Sequence, residues 1–293
     1  MLKGLPYAHP YFDDIVVGSD GDTTEEIIHN HTKHLRAVLK TLAEQRLMCS
    51  PEKSAFFQKE VEFLGHIIRE GVRKPAPGKL LPIQKWELPR TVTELRGFLG
   101  LANYFSEYVK EYAEVAAPLM AKLKLSREDG KKGSKKAVIW EQLDIESFNE
   151  LKRRLAQEIA LYQPDFEKPF ILRCDASDHA IGAVLSQVTD GKEHPVGFYS
   201  RKLTSSQLNW APKEKEMYAV VAALLKWSGV INFQPVLVTT DHRALEHWVT
   251  EHVETPSGPR GRRARWHQIL SQFDLEIRYI PGPENLVADA MSR

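Results

Sequence analysis

The segment "PFILRCDASDHAIGAVLSQVTDGK" (residues 169–192) contains two apolar runs, "PFILRCDAS" (169–177) and "IGAVLSQV" (181–188), separated by a short polar stretch. Both runs are rich in aliphatic and β-branched residues, which is typical of β-strands. "TDGK" (189–192) then provides a hairpin turn with glycine where a positive φ is needed. Because "PVGFYS" (195–200) continues the pattern, we predict a meander of three strands.

Helices and strands alternate after this meander. We predict helices at "KEKEMYAVVAALLKW" (213–227), "RARWHQILSQF" (263–273) and "NLVADAMSR" (285–293), and strands at "PVLVTTD" (235–241) and "DLEIRYI" (274–280). A meander followed by alternating helices and strands indicates a mixed α/β sheet.

Length and composition limit the class of protein. A chain of 293 residues fits about two domains, and a net charge of +1 gives no general sign of a nucleic-acid partner. The two cysteines, Cys49 and Cys174, have no metal-binding or disulfide spacing and suit a reducing compartment. The sequence shows neither a signal peptide nor a membrane-spanning run. We therefore expect an intracellular protein, cytoplasmic or nuclear, with no membrane partner.

Four acidic residues lie where predicted elements end or turn inward. They are separated by 41, 25 and 48 residues, so only a fold can bring them together: Asp175, Glu216, Asp241 and Asp289. Gathered carboxylates repel and raise one another's pKa unless cations neutralise them. Two hard cations roughly 4 Å apart are a common solution for phosphodiester cleavage, and oxygen ligands favour Mg²⁺, with Mn²⁺ as a substitute.

Each acid taken alone also has a structural interpretation. Asp175 suits a turn cap, Glu216 a solvated helix position, and Asp289 a helical pair with Arg293. Glu214 competes with Glu216, but the apolar positions that follow Glu216 favour Glu216 near the buried face. Asp178 is interpreted as a helix or turn cap rather than a ligand.

A further carboxylate pair occurs in "YFDDIVV" (11–17), and a histidine pair occurs in "HNHTKH" (29–34). Asp13 and Asp14 are adjacent although their charges repel. His31 and His34 lie on one helical face, where a metal site competes with helix packing, and we favour packing because no third ligand has suitable spacing.

Several motifs resemble those of gypsy-like LTR retrotransposon reverse transcriptases, the retrovirus-related Pol polyproteins. "FILRCDASDHAIGAVLSQ" (170–187), "EKEMYAVVAAL" (214–224), "TTDHRAL" (239–245) and "YIPGPENLVADAMSR" (279–293) resemble their ribonuclease H domain. "YFDD" (11–14), "NHTKHLRAVLKTL" (30–42), "EFLGHIIREG" (62–71) and "ELRGFLGLANYF" (94–105) resemble the second half of the palm and the thumb.

The resemblance implies an α/β fold, a ribonuclease H-like mixed five-stranded sheet with flanking helices, preceded by a partial palm and a helical thumb. It implies metal-dependent hydrolysis of the RNA strand of RNA–DNA hybrids, with Asp175, Glu216, Asp241 and Asp289 as catalytic metal ligands. The implied domains are a partial palm (1–73), a thumb (74–125), a linker or connection (126–165) and a ribonuclease H domain (166–293).

For the polymerase, the resemblance implies that Asp13 and Asp14 bind metal at the primer end and that Gly65 and His66 lie in the hairpin that grips the primer. A third acid would belong to an upstream palm strand, so we expect a C-terminal fragment whose polymerase half is truncated and inactive alone. The implied partners are a primer–template duplex and the rest of the Pol polyprotein. The oligomeric state stays open.

The arginines of "PRGRRARWH" (259–267) have two interpretations. Arg262, Arg263 and Arg265 suit phosphate contacts to a duplex, or a solvated helix start with Trp266 in the core. Many ribonuclease H domains also carry a histidine before the last catalytic acid. "YIPGPENLVAD" has none, and His242, beside Asp241, is a weak substitute.

Two rival functions differ in class from the first. One is a non-catalytic nucleic-acid-binding remnant of the same element, with the acids intact but the site unused. The other is a different nuclease or an integrase-type enzyme on the same fold, which the thumb-like region upstream disfavours.

Overall fold

The computed structural model describes residues 4–128, 137–157, 159–246 and 261–281, together with Leu2 and Trp248. The chain divides into two compact units, Met1–Glu70 and Gly71–Arg293. No helix within the described residues combines the length and the apolarity that crossing a bilayer requires.

The first unit contains one long helix and two antiparallel hairpins. The Thr23 side chain caps the helix by accepting a hydrogen bond from the Glu26 amide at 3.2 Å. Val38 and Leu42, one turn apart, are buried against Leu2 and Ala8. The elements are β1 (Ala8–Tyr11), β2 (Asp14–Val17), α1 (Thr24–Glu44), β3 (Glu60–Phe63) and β4 (His66–Arg69).

The second unit begins with a strand and a group of helices and continues into a large sheet. Its first part consists of β5 (Val72–Pro75), α2 (Pro77–Gln84), α3 (Val92–Tyr104), α4 (Tyr112–Val115), α5 (Ala117–Glu128), α6 (Gln142–Ala156) and β6 (Leu161–Tyr162). Its second part consists of β7 (Phe170–Ala176), β8 (Ala180–Thr189), β9 (Lys192–Lys202), α7 (Ser205–Leu208), α8 (Pro212–Ile231), β10 (Val236–Thr240), α9 (Arg262–Leu270) and β11 (Leu275–Tyr279).

The sheet has five strands in the order β11-β10-β7-β8-β9. β7, β8 and β9 pair antiparallel, whereas β10 pairs parallel with both β7 and β11. The turn between β8 and β9 has φ values of 52° at Asp190 and 73° at Gly191, as the sequence "TDGK" predicts. The predicted mixed five-stranded sheet is therefore confirmed.

Helix α8 covers one face of this sheet. Alternate residues of the strands, including Leu172 and Cys174 on β7 and Ile181 on β8, are buried in one cluster with Met217 and Val220 of α8. The helix is apolar around most of its circumference because it lies within this core. This packing fixes α8 against β7, so that residues of α8 keep a constant position beside the end of that strand.

The second face of the sheet is covered by the helices that precede it. Val184 of β8 lies directly opposite Phe198 of β9. Both are buried in a cluster with Phe98 of α3, Phe148 of α6 and Leu161 of β6. Among the described residues, the cover of this face comes from segments that precede the predicted ribonuclease H domain, 166–293.

Polar contacts also join the helical region to the sheet. Both terminal nitrogens of the Arg73 guanidinium donate to the Glu107 carboxylate, each at 3.0 Å, and Nη2 also donates to the Val196 carbonyl of β9 at 3.4 Å. The Ala113 amide of α4 donates to Ser200 Oγ of β9 at 3.0 Å. Bidentate arginine–carboxylate pairs are directional, so these contacts help to fix the orientation of the helical region relative to the sheet.

Part of the predicted linker is regular structure. Helix α6 lies within residues 126–165 and buries Phe148 and Leu151. Lys122, just before this predicted linker, lies in α5, and its Nζ is 2.8 Å from Oδ2 of the buried Asp144. Residues 129–136 lie outside the described part of the chain. The bounds of the four predicted domains remain predictions.

Candidate active site

Two of the predicted acids end neighbouring parallel strands. Asp175 is the penultimate residue of β7, and Asp241 directly follows β10. Thr239 lies opposite Arg173, so the two aspartates, each two residues further along, lie side by side at the same edge of the sheet. Both aspartates are exposed. The sequence separates them by 66 positions, but the parallel register brings them together.

Glu216 reaches the same place from the first turns of α8. Its carboxylate lies with those of Asp175 and Asp241 such that one oxygen from each is within 4.8 Å of the others. Glu214, the competing residue, is 3.5 Å from Arg262 through its Oε1 instead. Asp289, the fourth predicted acid, lies outside the described residues.

The Glu216 carboxylate is buried, with the whole residue only 8% exposed. Its Oε1 accepts a hydrogen bond from the Ala176 amide at 3.3 Å, whereas Oε2 has no hydrogen-bond partner among the described residues. Desolvation, followed by the charges of Asp175 and Asp241, raises the pKa of Glu216 to about 8. A buried carboxylate with an unpaired oxygen is costly unless a proton or a cation neutralises it.

The pKa of Asp175 is also raised above its ordinary value, first by desolvation and then by the charge of Asp241. Smaller contributions come from Glu114 and Glu111, in and beside α4. No sequence signal links these two glutamates to Asp175, because more than 60 positions separate them from it. Their proximity follows from the packing of α4 on β9, which no local pattern predicts.

The three carboxylates suit a hard divalent cation. All three donors are oxygens, which Mg²⁺ and Mn²⁺ prefer. Within the described residues, Asp175, Glu216 and Asp241 lie close enough together for all three to bind the same metal ion. The unpaired Oε2 of Glu216 is a further sign of fit, because a bound cation would supply its missing partner.

The polymerase acids lie on the hairpin of the first unit. Tyr11 pairs with Asp14, so Phe12 and Asp13 form the turn, with Phe12 at a φ of 48°. Both aspartates are exposed. In the described part of the chain, no third metal-binding side chain joins them.

The histidine pair of α1 has a packing role. Nδ1 of His31 lies 3.0 Å and Nδ1 of His34 lies 2.8 Å from Ser19 Oγ. The His34 ring also stacks on Tyr7, with 3.7 Å between centroids. These contacts agree with the packing interpretation. His242, the proposed substitute for the missing histidine, has a buried Nδ1 with no hydrogen-bond partner among the described residues.

Of the predicted nucleic-acid contacts, Arg262, Arg263 and Arg265 lie in α9 of the second unit, whereas Gly65 and His66 belong to the first unit. The Arg262 guanidinium stacks over the Trp210 ring at 4.3 Å, and Trp266 is in the core. Arg265 is exposed and Arg263 is half-buried. Gly65, with a φ of 75°, and His66 lie at the turn between β3 and β4.

Comparison with known families agrees with this architecture. Residues 165–273 match the model of the RNase H-like domain found in reverse transcriptase, and residues 6–68 match that of reverse transcriptase (RNA-dependent DNA polymerase). The chain belongs to the reverse transcriptases. The predicted family, whose relatives are retrovirus-related Pol polyproteins of transposons, is thereby confirmed.

This reverse-transcriptase chain aligns with curated relatives over 97% of its length. It is 36% identical to the retrovirus-related Pol polyprotein from transposon opus of Drosophila melanogaster and covers 27% of that protein. It is 34% identical to the transposon Tf2-3 polyprotein of Schizosaccharomyces pombe (strain 972 / ATCC 24843) and covers 20% of it. The chain thus spans a fifth to about a quarter of the length of these relatives.

Solved structures show the same fold. A foamy viral protease-reverse transcriptase in complex with an RNA/DNA hybrid is similar with a TM-score of 0.75 and 25% identity, over 97% of this chain and 37% of its own. A foamy viral protease-reverse transcriptase dRH in complex with double-stranded DNA gives the same TM-score and identity, over 95% of this chain and 47% of its own.

Proposed function

We propose that this reverse-transcriptase chain hydrolyses the RNA strand of RNA–DNA hybrids in a reaction that depends on Mg²⁺ or Mn²⁺. One observation carries the proposal. Three carboxylates from β7, α8 and the end of β10 place their oxygens within 4.8 Å of one another, and one buried oxygen among them is unpaired. Repelling charges gathered in this way favour the uptake of a proton or a cation, and a set of oxygen ligands favours Mg²⁺ or Mn²⁺.

The ligands in this proposal are Asp175, Glu216 and Asp241, with Asp289 as the fourth from the sequence. A bound divalent cation supplies an activated water and stabilises the leaving oxygen of a phosphodiester. The exposed aspartates face solvent, where a phosphate of a duplex can approach them. The buried Glu216 is held in place by the Ala176 amide, so its free Oε2 points to a fixed position.

Proton release from Glu216 accompanies this binding. With a pKa of about 8, the carboxyl group is largely protonated at neutral pH in the absence of a cation. A protonated carboxyl is a poor ligand, so Glu216 has to lose its proton as the cation binds. Cation affinity should therefore increase with pH up to about 8 and level off above it.

An RNA–DNA hybrid is the proposed substrate. The RNA/DNA complex of the foamy viral enzyme, which shares this fold, supports a duplex partner. Selection of the RNA strand would rest on contacts to 2′-hydroxyls, which DNA lacks. We retain Arg262, Arg263, Arg265, Gly65 and His66 as proposed contacts to the primer–template duplex, and the rest of a Pol polyprotein as a proposed partner.

Asp13 and Asp14 are proposed as part of a polymerase metal site. Nucleotide addition needs two metals held between the primer end and the triphosphate. Because the described residues bring no third ligand to this pair, we propose that the chain as given does not extend primers.

The proposal is tested with an RNA–DNA hybrid labelled on the RNA strand. The purified chain should shorten the RNA with Mg²⁺ or Mn²⁺, and EDTA should stop the reaction. A matched double-stranded DNA should stay intact. A chain that binds the hybrid in a mobility-shift assay but leaves the RNA uncut would instead support the non-catalytic remnant.

A further inference from the structure

A short turn joins the strand that carries Asp175 to the next strand. Residues 177–179 connect β7 to β8, and the Ser177 amide closes the turn by donating to the Ala180 carbonyl at 2.9 Å. Ser177 Oγ accepts hydrogen bonds from the amides of His179 and Ala180 at 3.3 and 3.0 Å. The turn therefore has a defined shape, and its position relative to α8 determines how far Asp175 lies from Glu216.

Two consecutive residues of α8 contact the end of β7 and the turn that follows it. Glu216 Oε1 accepts a hydrogen bond from the Ala176 amide at 3.3 Å. Lys215 Nζ lies 3.2 Å from Asp178 Oδ1 and 3.4 Å from the Asp178 carbonyl oxygen. The Lys215 side chain is only 7% exposed, whereas that of Asp178 is 87% exposed. A buried lysine thus extends from the core to a carboxylate on the surface.

We infer that Lys215 and Asp178 are positioning residues that hold α8 against the β7–β8 turn and so keep Glu216 beside Asp175. The inference rests on the proposed metal-binding role of these acids. When Glu216 is ionised and no cation is bound, the charges of Asp175 and Asp241 repel its carboxylate and push α8 away from β7. The Lys215–Asp178 contact opposes that force at the residue next to Glu216.

Holding ligands in place before the cation arrives increases affinity, because binding then has less disorder to remove. Partners that orient metal ligands typically contribute about 10–100-fold in affinity. The sequence pattern around Asp178 indicates a cap, and it indicates no particular role for Lys215. The pairing was not visible in the sequence because it joins positions 37 residues apart.

The test uses Asp178→Ala and Lys215→Met, with Glu276→Ala as the control. Glu276 belongs to an exposed ion pair with Arg278 on β11. Asp178→Ala removes an exposed carboxylate and leaves the Lys215 ammonium its contact with the carbonyl oxygen of residue 178, so it should lower the melting temperature less than Lys215→Met does. The Asp178→Ala variant therefore helps to separate a loss of positioning from a general loss of stability. Lys215→Met alone does not separate the two effects, because it changes a buried side chain.

The first readout is hydrogen exchange of the Ala176 amide in the metal-free chain. We expect about tenfold faster exchange in Asp178→Ala and in Lys215→Met, with unchanged exchange at Leu172 deep in β7. The double variant should be no faster than Lys215→Met alone, because both substitutions break one contact. The Glu276→Ala control should match the unmodified chain.

The second readout is Mn²⁺ affinity measured by calorimetry, which should fall about tenfold in both variants. Unchanged Ala176 exchange in both variants would overturn the inference. A chain that binds no Mn²⁺ and cuts no hybrid would defeat the proposed function instead. Ala176 exchange would still decide whether this pair positions Glu216.

Discussion

The Ala176 amide donates to Glu216 Oε1 at 3.3 Å, while Oε2 of the same buried carboxylate has no partner among the described residues. The strand that carries Asp175 thus orients one oxygen of Glu216 and leaves the other available. This half-satisfied state explains why the pKa of Glu216 rises to about 8, since desolvation and the two neighbouring aspartates outweigh a single hydrogen bond.

The raised pKa predicts how stability depends on pH in the metal-free chain. An unfolded glutamate releases its proton near 4.5, whereas folded Glu216 retains it to about 8. Folding therefore takes up a proton in this window, and its contribution to stability falls as pH rises from about 4.5 to about 8. The slope from this residue approaches about 1.4 kcal/mol per pH unit.

Urea denaturation between pH 5 and 8.5, with EDTA present, measures this effect. Glu216→Gln, which imitates the protonated acid, should remove the slope that comes from this residue. Glu214→Gln, two positions earlier on the same helix, should retain it. Identical slopes in the Glu216→Gln variant and the unmodified chain would show that Glu216 titrates normally.

The shared core predicts that the sheet depends on the helices before it. Phe198 is buried between the sheet and those helices, so Phe198→Ala should cost about 3–5 kcal/mol of unfolding free energy. Phe233→Ala removes a ring that is 85% exposed and should change stability by no more than about 0.5 kcal/mol. Equal effects of the two substitutions in chemical denaturation would contradict the shared core.

The same core predicts the outcome of truncation. A fragment of residues 166–293 would expose Val184 and Phe198, and it would lose the hydrogen bond from the Ala113 amide to Ser200. We expect it to melt at a lower temperature than residues 71–293 and to bind more of a hydrophobic dye. Equal melting temperatures would show that the helical cover contributes no stability.

The two acidic sites should be independent of each other. Asp13→Asn combined with Asp14→Asn should leave hybrid cleavage within about twofold of the unmodified chain, because neither exposed side chain belongs to the group of Asp175, Glu216 and Asp241. Primer extension should be undetectable with or without these substitutions. Extension that disappears in the double variant would mean that another residue or a partner completes the polymerase site.

The sequence predicts most of the five-stranded sheet because the signals for its strands and turns are local. Apolar strands, the "TDGK" turn and the apolar positions after Glu216 each act within a few residues, and the structure agrees with them. The grouping of Asp175, Glu216 and Asp241 was expected from chemistry and from the family resemblance. One oxygen of each carboxylate lies within 4.8 Å of the others. This distance depends on the register of β7 and β10, which local sequence patterns do not determine.

Long-range contacts account for what the sequence did not predict. The pairing of Lys122 with buried Asp144, and the packing of Phe198 against helices from the first part of the unit, join segments far apart in the chain. From sequence alone, a lysine in a polar stretch looks like part of a solvated linker. The burial of its partner, Asp144, shows that Lys122 instead belongs to the packed structure.

The central claim is that Asp241 is a metal ligand for RNA cleavage. Asp241→Asn keeps the size of the side chain and removes its charge, and the residue is exposed, so the fold should persist. We expect the rate of hybrid cleavage to fall by at least about a hundredfold. Asp274→Asn, at an exposed acid just before β11, should cleave like the unmodified chain.

Single-turnover cleavage of a labelled RNA–DNA hybrid in Mg²⁺ is the most direct measurement, with circular dichroism of each variant to verify folding. The account predicts RNA cleavage by the unmodified chain and by Asp274→Asn, and almost none by folded Asp241→Asn. Undiminished cleavage by Asp241→Asn would contradict the assignment of this site.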